Sequence, residues 1–110
     1  MNKVMKVIWH KQASTALRKT AAYIRKRFGL QVRENFRNEV DHVQMLLTNN
    51  PYMGSEEPLL ADLSIEYRSF VINKLNKTVY YVERDTIHIV DFWDTRLEPQ
   101  KQAQQVKDNL

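Results

Sequence analysis

Thr86–Pro99 reads T-I-H-I-V-D-F-W-D-T-R-L-E-P, and the placement of this stretch decides the rest of the fold. From Thr86 to Trp93 almost every residue is β-branched or aromatic, which predicts a strand. Strict alternation assigns Ile87, Ile89, Asp91 and Trp93 to one face, and His88, Val90 and Phe92 to the other. A strand apolar on both faces belongs inside a sheet covered from two sides. Asp94, Thr95 and Arg96 follow at once, so a rigid strand end presents charged groups. This end is the candidate site.

Working back from it, Glu66–Asn73 and Thr78–Glu83 read as two more strands joined by the polar loop Lys74-Leu75-Asn76-Lys77. Glu83-Arg84-Asp85 turns the second of them into Thr86, so the three form an antiparallel meander. Before the meander, Pro51, Gly54 and Pro58 forbid a continuous helix or strand over Pro51–Ser64. The apolar residues of that segment, Tyr52, Met53, Leu59, Leu60 and Leu63, predict that it packs on the body.

Further back the apolar period becomes helical. Ala13, Leu17, Ala21, Ile24 and Phe28 form one stripe, and Leu30, Val32, Phe36, Val40, Val43, Met45, Leu46 and Leu47 form a second, ending near Asn49 and Pro51. Gly29 between them predicts a hairpin of helices. Arg18, Lys19, Arg25, Lys26 and Arg27 make the far side of the first helix strongly basic. Lys3–Trp9 alternates like a strand, not like a signal peptide. Beyond the opening stretch, Pro99 fits the first turn of a helix carrying Ala103, Val106 and Leu110. Thr95 and Glu98 have capping-box spacing, but the Pro99 start takes precedence. The order is β-α-α-β-β-β with a terminal helix. We expect one α+β domain over residues 1–110, its helical hairpin packed on one face of a mainly antiparallel sheet.

Composition narrows the function. At 110 residues, 43% of them hydrophobic, with two Gly and three Pro, the chain suits one compact core. No apolar run approaches the ~20 residues of a membrane span. The absence of Cys leaves no disulfide or thiolate metal site, as befits a cytoplasmic protein. A net charge of +4 favours a polyanion or an acidic protein as partner. Gly-rich phosphate loops, GxSxG and HExxH are all missing, and His10, His42 and His88 are scattered, so neither metal nor cofactor is expected.

Arg96 is the first candidate residue, because a guanidinium binds phosphate bidentately and keeps its charge. It would clamp a scissile phosphate or an acidic partner; the plainer alternative is a surface ion pair with Asp94 or Glu98. Arg68 and Lys77 open neighbouring strands and would extend the same positive patch. Asp91 shares parity with Ile87 and Ile89, so it is expected to be partly buried, with Arg68 or Arg96 as its cation. His88 is a packed histidine that becomes a proton shuttle if it faces the site. Asp94 suits a turn or cap better than a general base, and Tyr81 is a sheet aromatic able to stack on a base if exposed.

A wider pattern comprises V-I-W at Val7–Trp9, A-x-x-x-L at Ala13–Leu17, Y-I at Tyr23–Ile24 and P-x-x-G at Pro51–Gly54. It continues with Y-R-S at Tyr67–Ser69, V-Y-Y-V-E-x-D-T-I at Val79–Ile87 and D-F-W-D-T-R-x-x-P at Asp91–Pro99. In order and spacing these motifs resemble the RelE/ParE superfamily of toxins from bacterial type II toxin–antitoxin modules, the last of them in the form found in Bacteroidetes. The resemblance implies a curved sheet carrying a helical hairpin, and a cognate antitoxin whose flexible acidic segment wraps the toxin. For a RelE-like member it implies mRNA cleavage in the ribosomal A site, with Arg68, Lys77 and Arg96 at basic positions. The C-terminal tyrosine of RelE has no counterpart near Gln102, and Phe70 replaces a second lysine. For a ParE-like member it implies poisoning of DNA gyrase by binding alone. The first expectation is a ribosome-dependent endoribonuclease, catalysed by Arg96 and Arg68 with His88 moving protons, and with Lys77, Asp91, Asp94 and Tyr81 contacting RNA or partner. The alternatives are the gyrase toxin and an inactive antitoxin-binding module of a plasmid-stabilisation system.

Overall fold

The computed structural model describes residues 5–110. In chain order these form β1 (Lys6–Trp9), α1 (Lys11–Phe28), α2 (Leu30–Asn49), β2 (Ser55–Glu56), a 3-10 turn (Pro58–Leu60), β3 (Arg68–Ile72), β4 (Asn76–Glu83), β5 (Thr86–Asp94) and α3 (Pro99–Asp108). The α+β order expected from the sequence is found with one short strand, β2, added to it. Lys3 and Val4, the predicted start of the first strand, lie outside the described residues. Gly29 separates the helices with φ of 95° and gives its N–H to the Arg25 carbonyl at 2.9 Å. Pro99 opens α3, as its missing N–H and fixed φ favour.

The sheet order is β1-β5-β4-β3-β2. β5 is therefore an inner strand, parallel to β1 through Lys6↔Thr86 to Trp9↔Ile89 and antiparallel to β4. β3, β4 and β5 form the expected meander. β2, a two-residue strand inside the irregular segment, was not legible from alternation. The β3–β4 turn is also tighter than expected. Asn73 and Lys74 have φ of 46° and 67°, and Leu75 N–H bonds the Ile72 carbonyl at 3.2 Å. Asn76 and Lys77 consequently belong to β4, not to the loop.

Two cores flank the sheet. The hairpin side packs Ala13, Ala21, Phe36, Val40 and Leu47 on Ile72, Tyr80, Ile87, Ile89 and Phe92. On the opposite side, Leu60 and Tyr67 with Ala103 and Val106 of α3 cover Val79 and Trp93. The strict alternation of the opening stretch fails in the middle of β5. Tyr80 pairs with Ile89 and Val79 with Asp91, so Val90 is an extra residue in the strand. This bulge reverses the parity beyond it. Phe92 joins Ile87 and Ile89 against the hairpin, while Trp93 joins His88 and Val90 opposite.

The Pro51–Ser64 segment packs on the body as expected, anchored by Tyr80. The Tyr80 hydroxyl donates to the Pro51 carbonyl at 2.8 Å and accepts from Gly54 N–H at 3.0 Å. A Cβ at Gly54 would stand 2.6 Å from that hydroxyl and 2.7 Å from the Ser69 carbonyl oxygen. Both are fixed groups. Gly54→Ala should therefore destabilise the fold by about 1–3 kcal/mol, read as a lower urea midpoint with an unchanged m-value.

Candidate functional site

β1 stops at Trp9, so the second half of β5 has a free flank toward α1 and α3. There lies a groove of about 1080 Å³, lined by Lys11, Lys19 and Tyr23 of α1, by Asp91–Asp94 and Arg96, and by Lys101 and Gln102 of α3. Asp91 forms part of its wall and is only 3% exposed. Oδ1 of Asp91 accepts from Phe92 N–H at 2.8 Å, and Oδ2 accepts from Trp93 Nε1 and Gln12 Nε2, each at 2.8 Å. Its expected cation is absent: neither Arg68 nor Arg96 reaches it, because three neutral donors already do. Gln102 closes the rest of the strand edge. Its amide accepts from Asp94 N–H at 2.9 Å and donates to the Asp94 carbonyl at 3.1 Å, as a neighbouring strand would. No sequence signal marked that role.

Arg96 stands at the groove rim, well exposed and tied to Asp94. Its guanidinium donates to both Asp94 oxygens, at 3.1 and 3.0 Å, and its backbone N–H donates to Oδ1 at 2.8 Å. Those hydrogen bonds hold the Asp94 carboxyl below its usual range. Asp94 is thus the turn residue that the sequence suggested. Thr95 leaves α3 uncapped and donates instead to the Lys74 and Leu75 carbonyls at 3.0 Å.

The other two cations are elsewhere. Arg68 lies opposite Tyr80 and Lys77 opposite Val71 and Trp93, so the pair occupies opposite faces of the sheet. The expected single patch of Arg96, Arg68 and Lys77 is therefore not formed. Arg68 bonds the Gly54 carbonyl at 2.7 Å and Glu66 at 2.7 Å, with Tyr52 beneath it. Lys77 pairs with Glu57 and lies over the Trp93 ring. Glu57, 1% exposed, also accepts from Ser69 Oγ and Leu59 N–H, each at 3.0 Å. The sequence marked Pro58 as a breaker but not Glu57 as the anchor before it.

His88 lies on the sheet face opposite the hairpin, away from Arg96. Its Nδ1 is 3.0 Å from Nε2 of His10, and Tyr81 stacks on it at 4.6 Å and 7°. Tyr67 meets Tyr81 edge-on at 5.7 Å. Two residues, His10 at the end of β1 and His88 on β5, were separated by 78 positions, so only the parallel pairing of their strands reveals the pair. Burial, and then the neighbouring His88, hold the His10 pKa below 6.5. Among the described residues, no three His, Asp or Glu side chains are grouped to hold a metal ion.

Compared with known families, residues 7–110 match the profile described as ParE toxin of type II toxin-antitoxin system, parDE. Among solved structures the chain is similar to one titled "Chromosomal ParDE TA system from P. aeruginosa", at a TM-score of 0.67 and 13% identity. That alignment covers 83% of this chain and 96% of the other. At this identity the likeness speaks for the fold. No curated protein matches the chain by sequence.

A lowered histidine pKa fixes the sign of a pH effect. The unfolded chain binds the proton more tightly than folded His10 does, so stability is full above about pH 6.5 and falls as pH drops through the folded value. NMR titration should give a His10 midpoint below 6.5, and His10→Asn should flatten the dependence of the urea midpoint between pH 7 and pH 5.

Proposed function

Because the chain belongs to the ParE toxin family of type II toxin–antitoxin systems, we propose that it is a toxin that poisons DNA gyrase by binding, without cutting RNA. One observation supports this reading above the others: Arg68, Lys77 and Arg96 each have a carboxylate partner of their own and do not converge. Phosphoryl transfer without a metal relies on donors aimed together at the charge that develops on phosphorus, and one such group is worth on the order of 10²–10³ in rate. Cations on opposite sheet faces do not make that arrangement. A binding toxin needs none of it.

The same reading gives the toxin a neutralising antitoxin. A surface suited to an antitoxin segment lies along β3, where Phe70–Ile72 extend beyond β2 and have no strand on that side among the described residues. A groove of about 430 Å³ beside this edge is lined by Val43 and Leu46 of α2 with Val71 and Ile72. Exposed Val71, Leu46 and Met45 make the region apolar. An extended peptide would gain main-chain hydrogen bonds from the edge and side-chain burial from the groove. Among the described residues no helix is long and apolar enough to cross a membrane.

RNA cleavage ranks second, favoured by the His10, His88 and Tyr81 cluster, which carries proton-transfer groups on an incompletely covered sheet face. The two imidazole nitrogens already touch at 3.0 Å, leaving no room for a phosphate between an acid and a base. The deciding experiment adds purified chain to gyrase with supercoiled plasmid, and separately to ribosomes with mRNA. The expected result is gyrase-dependent DNA breakage with intact mRNA. Shortened A-site mRNA with normal supercoiling would reverse the ranking, and loss of that cleavage in His88→Ala would assign it to the cluster.

A further inference from the structure

The charge of the chain is concentrated on one helix. α1 carries six cations, Lys11, Arg18, Lys19, Arg25, Lys26 and Arg27, and no acid. The whole chain is only +4, so everything outside α1 is net acidic by two. Pairing divides in the same way. The ion pairs among the described residues use Arg33, Arg68, Lys77, Arg96, Lys101 and Lys107, and none uses a cation of α1.

Helical geometry orders five of these cations. Lys11, Arg18 and Arg25 recur every seven residues, which returns nearly to the same side with a rise of about 10.5 Å each time. Lys19 and Lys26 repeat the interval one residue further round. Both rows are exposed and point away from Ala13, which is buried against the sheet and α2; the buried Ala21 borders the first row, three residues from Arg18 and four from Arg25. Only Thr15 and Ala22 lie between the rows, so no bulky side chain keeps a ligand off the helix. An 18-residue helix is about 27 Å long, and the first row spans about 21 Å of it.

We infer that this outer face of α1 binds the phosphate backbone of double-stranded DNA. The inference deepens the gyrase reading and rests on it for its purpose, which is to hold the toxin on the duplex that gyrase is handling. The make-up of the face selects the ligand. A protein partner needs buried aromatic or aliphatic anchors at the centre of its contact, and lysine is depleted there. Between its two rows this face has only small residues; the exposed large apolar groups of α1 are Tyr23, at the edge of the second row, and Phe28, at the hairpin tip. A phosphate backbone needs no anchor; it presents one charge per roughly 1.7 Å of duplex and releases counterions when cations approach. Phosphate contacts carry no base information, so the binding is independent of sequence.

The test titrates the full chain into a fluorescein-labelled 20-base-pair duplex without gyrase, from 50 to 200 mM salt. Five phosphate contacts predict that log K falls against log salt with a slope of about −4 to −5. Arg18→Ala/Arg25→Ala/Lys26→Ala, which keeps good helix formers and is checked by circular dichroism, should make the slope shallower by about 3 and weaken binding at least tenfold at 100 mM. Arg84→Gln, at the distant β4–β5 turn, should bind within twofold of the parent. Absence of binding at 50 mM, or equal binding by the triple variant, would overturn the inference. Tighter binding to polyglutamate or to duplex RNA than to DNA would overturn it too. Gyrase-dependent breakage by the parent chain is scored separately. Breakage without DNA binding removes this surface and keeps the gyrase reading; DNA binding without breakage does the reverse.

Discussion

A single buried carboxylate holds this structure in register. Asp91 accepts from its neighbour's backbone, from the Trp93 indole two residues on, and from Gln12 on the first turn of α1. The extra residue at Val90 carries Asp91 and Trp93 together to the face opposite Ile87 and Ile89. Three elements are thereby tied at one point. Trp93 is delivered to the core beneath α3, Phe92 to the core beneath the hairpin, and the start of α1 is fixed against the free flank of β5. Removing one partner of such a site leaves a buried donor or acceptor unmet, at about 1–3 kcal/mol for each group. Gln102 continues the work three residues further, by bonding both backbone groups of Asp94.

This constraint also separates the charges. Once the strand end is fixed, Asp94 captures Arg96. Across the sheet, Glu57 captures Lys77 against the Trp93 ring, in a pair whose acid is almost wholly buried. Arg68 serves the chain turn around Gly54 from the opposite face. These cations maintain the architecture, and a pair as exposed as Arg96–Asp94 adds little to stability in water. The helix with six cations outside the ion pairs of the described residues is α1, which Asp91 positions through Gln12. The part of the surface best equipped to meet a polyanion is therefore not the strand end on which the sequence focused attention.

The legible parts of the sequence were those governed by local rules. The two helical stripes, the glycine between them, Pro99 at the start of α3 and the three-strand meander all followed from period, turn chemistry and proline geometry. Burial of Asp91 was foreseen, although from a parity argument that the bulge at Val90 undoes. Alternation assumes an unbroken period of two, and an inserted residue leaves no mark in a run of β-branched and aromatic side chains. Lys77 was misplaced in a loop because Asn73 and Lys74 adopt positive φ, a conformation that tightens the turn and returns two residues to β4. The Glu57–Lys77 pair and the contact of His10 with His88 join residues 20 and 78 positions apart, which no local rule could have connected.

The central claim, that Asp91 fixes the second half of β5 and with it α1, has a direct test in the Trp93 indole N–H. Hydrogen exchange at that proton should be at least tenfold faster in Asp91→Ala than in the parent, while the urea midpoint falls by the equivalent of about 2 kcal/mol or more. An equally protected indole together with an unchanged midpoint would contradict the account, since the strand would then be held by packing alone.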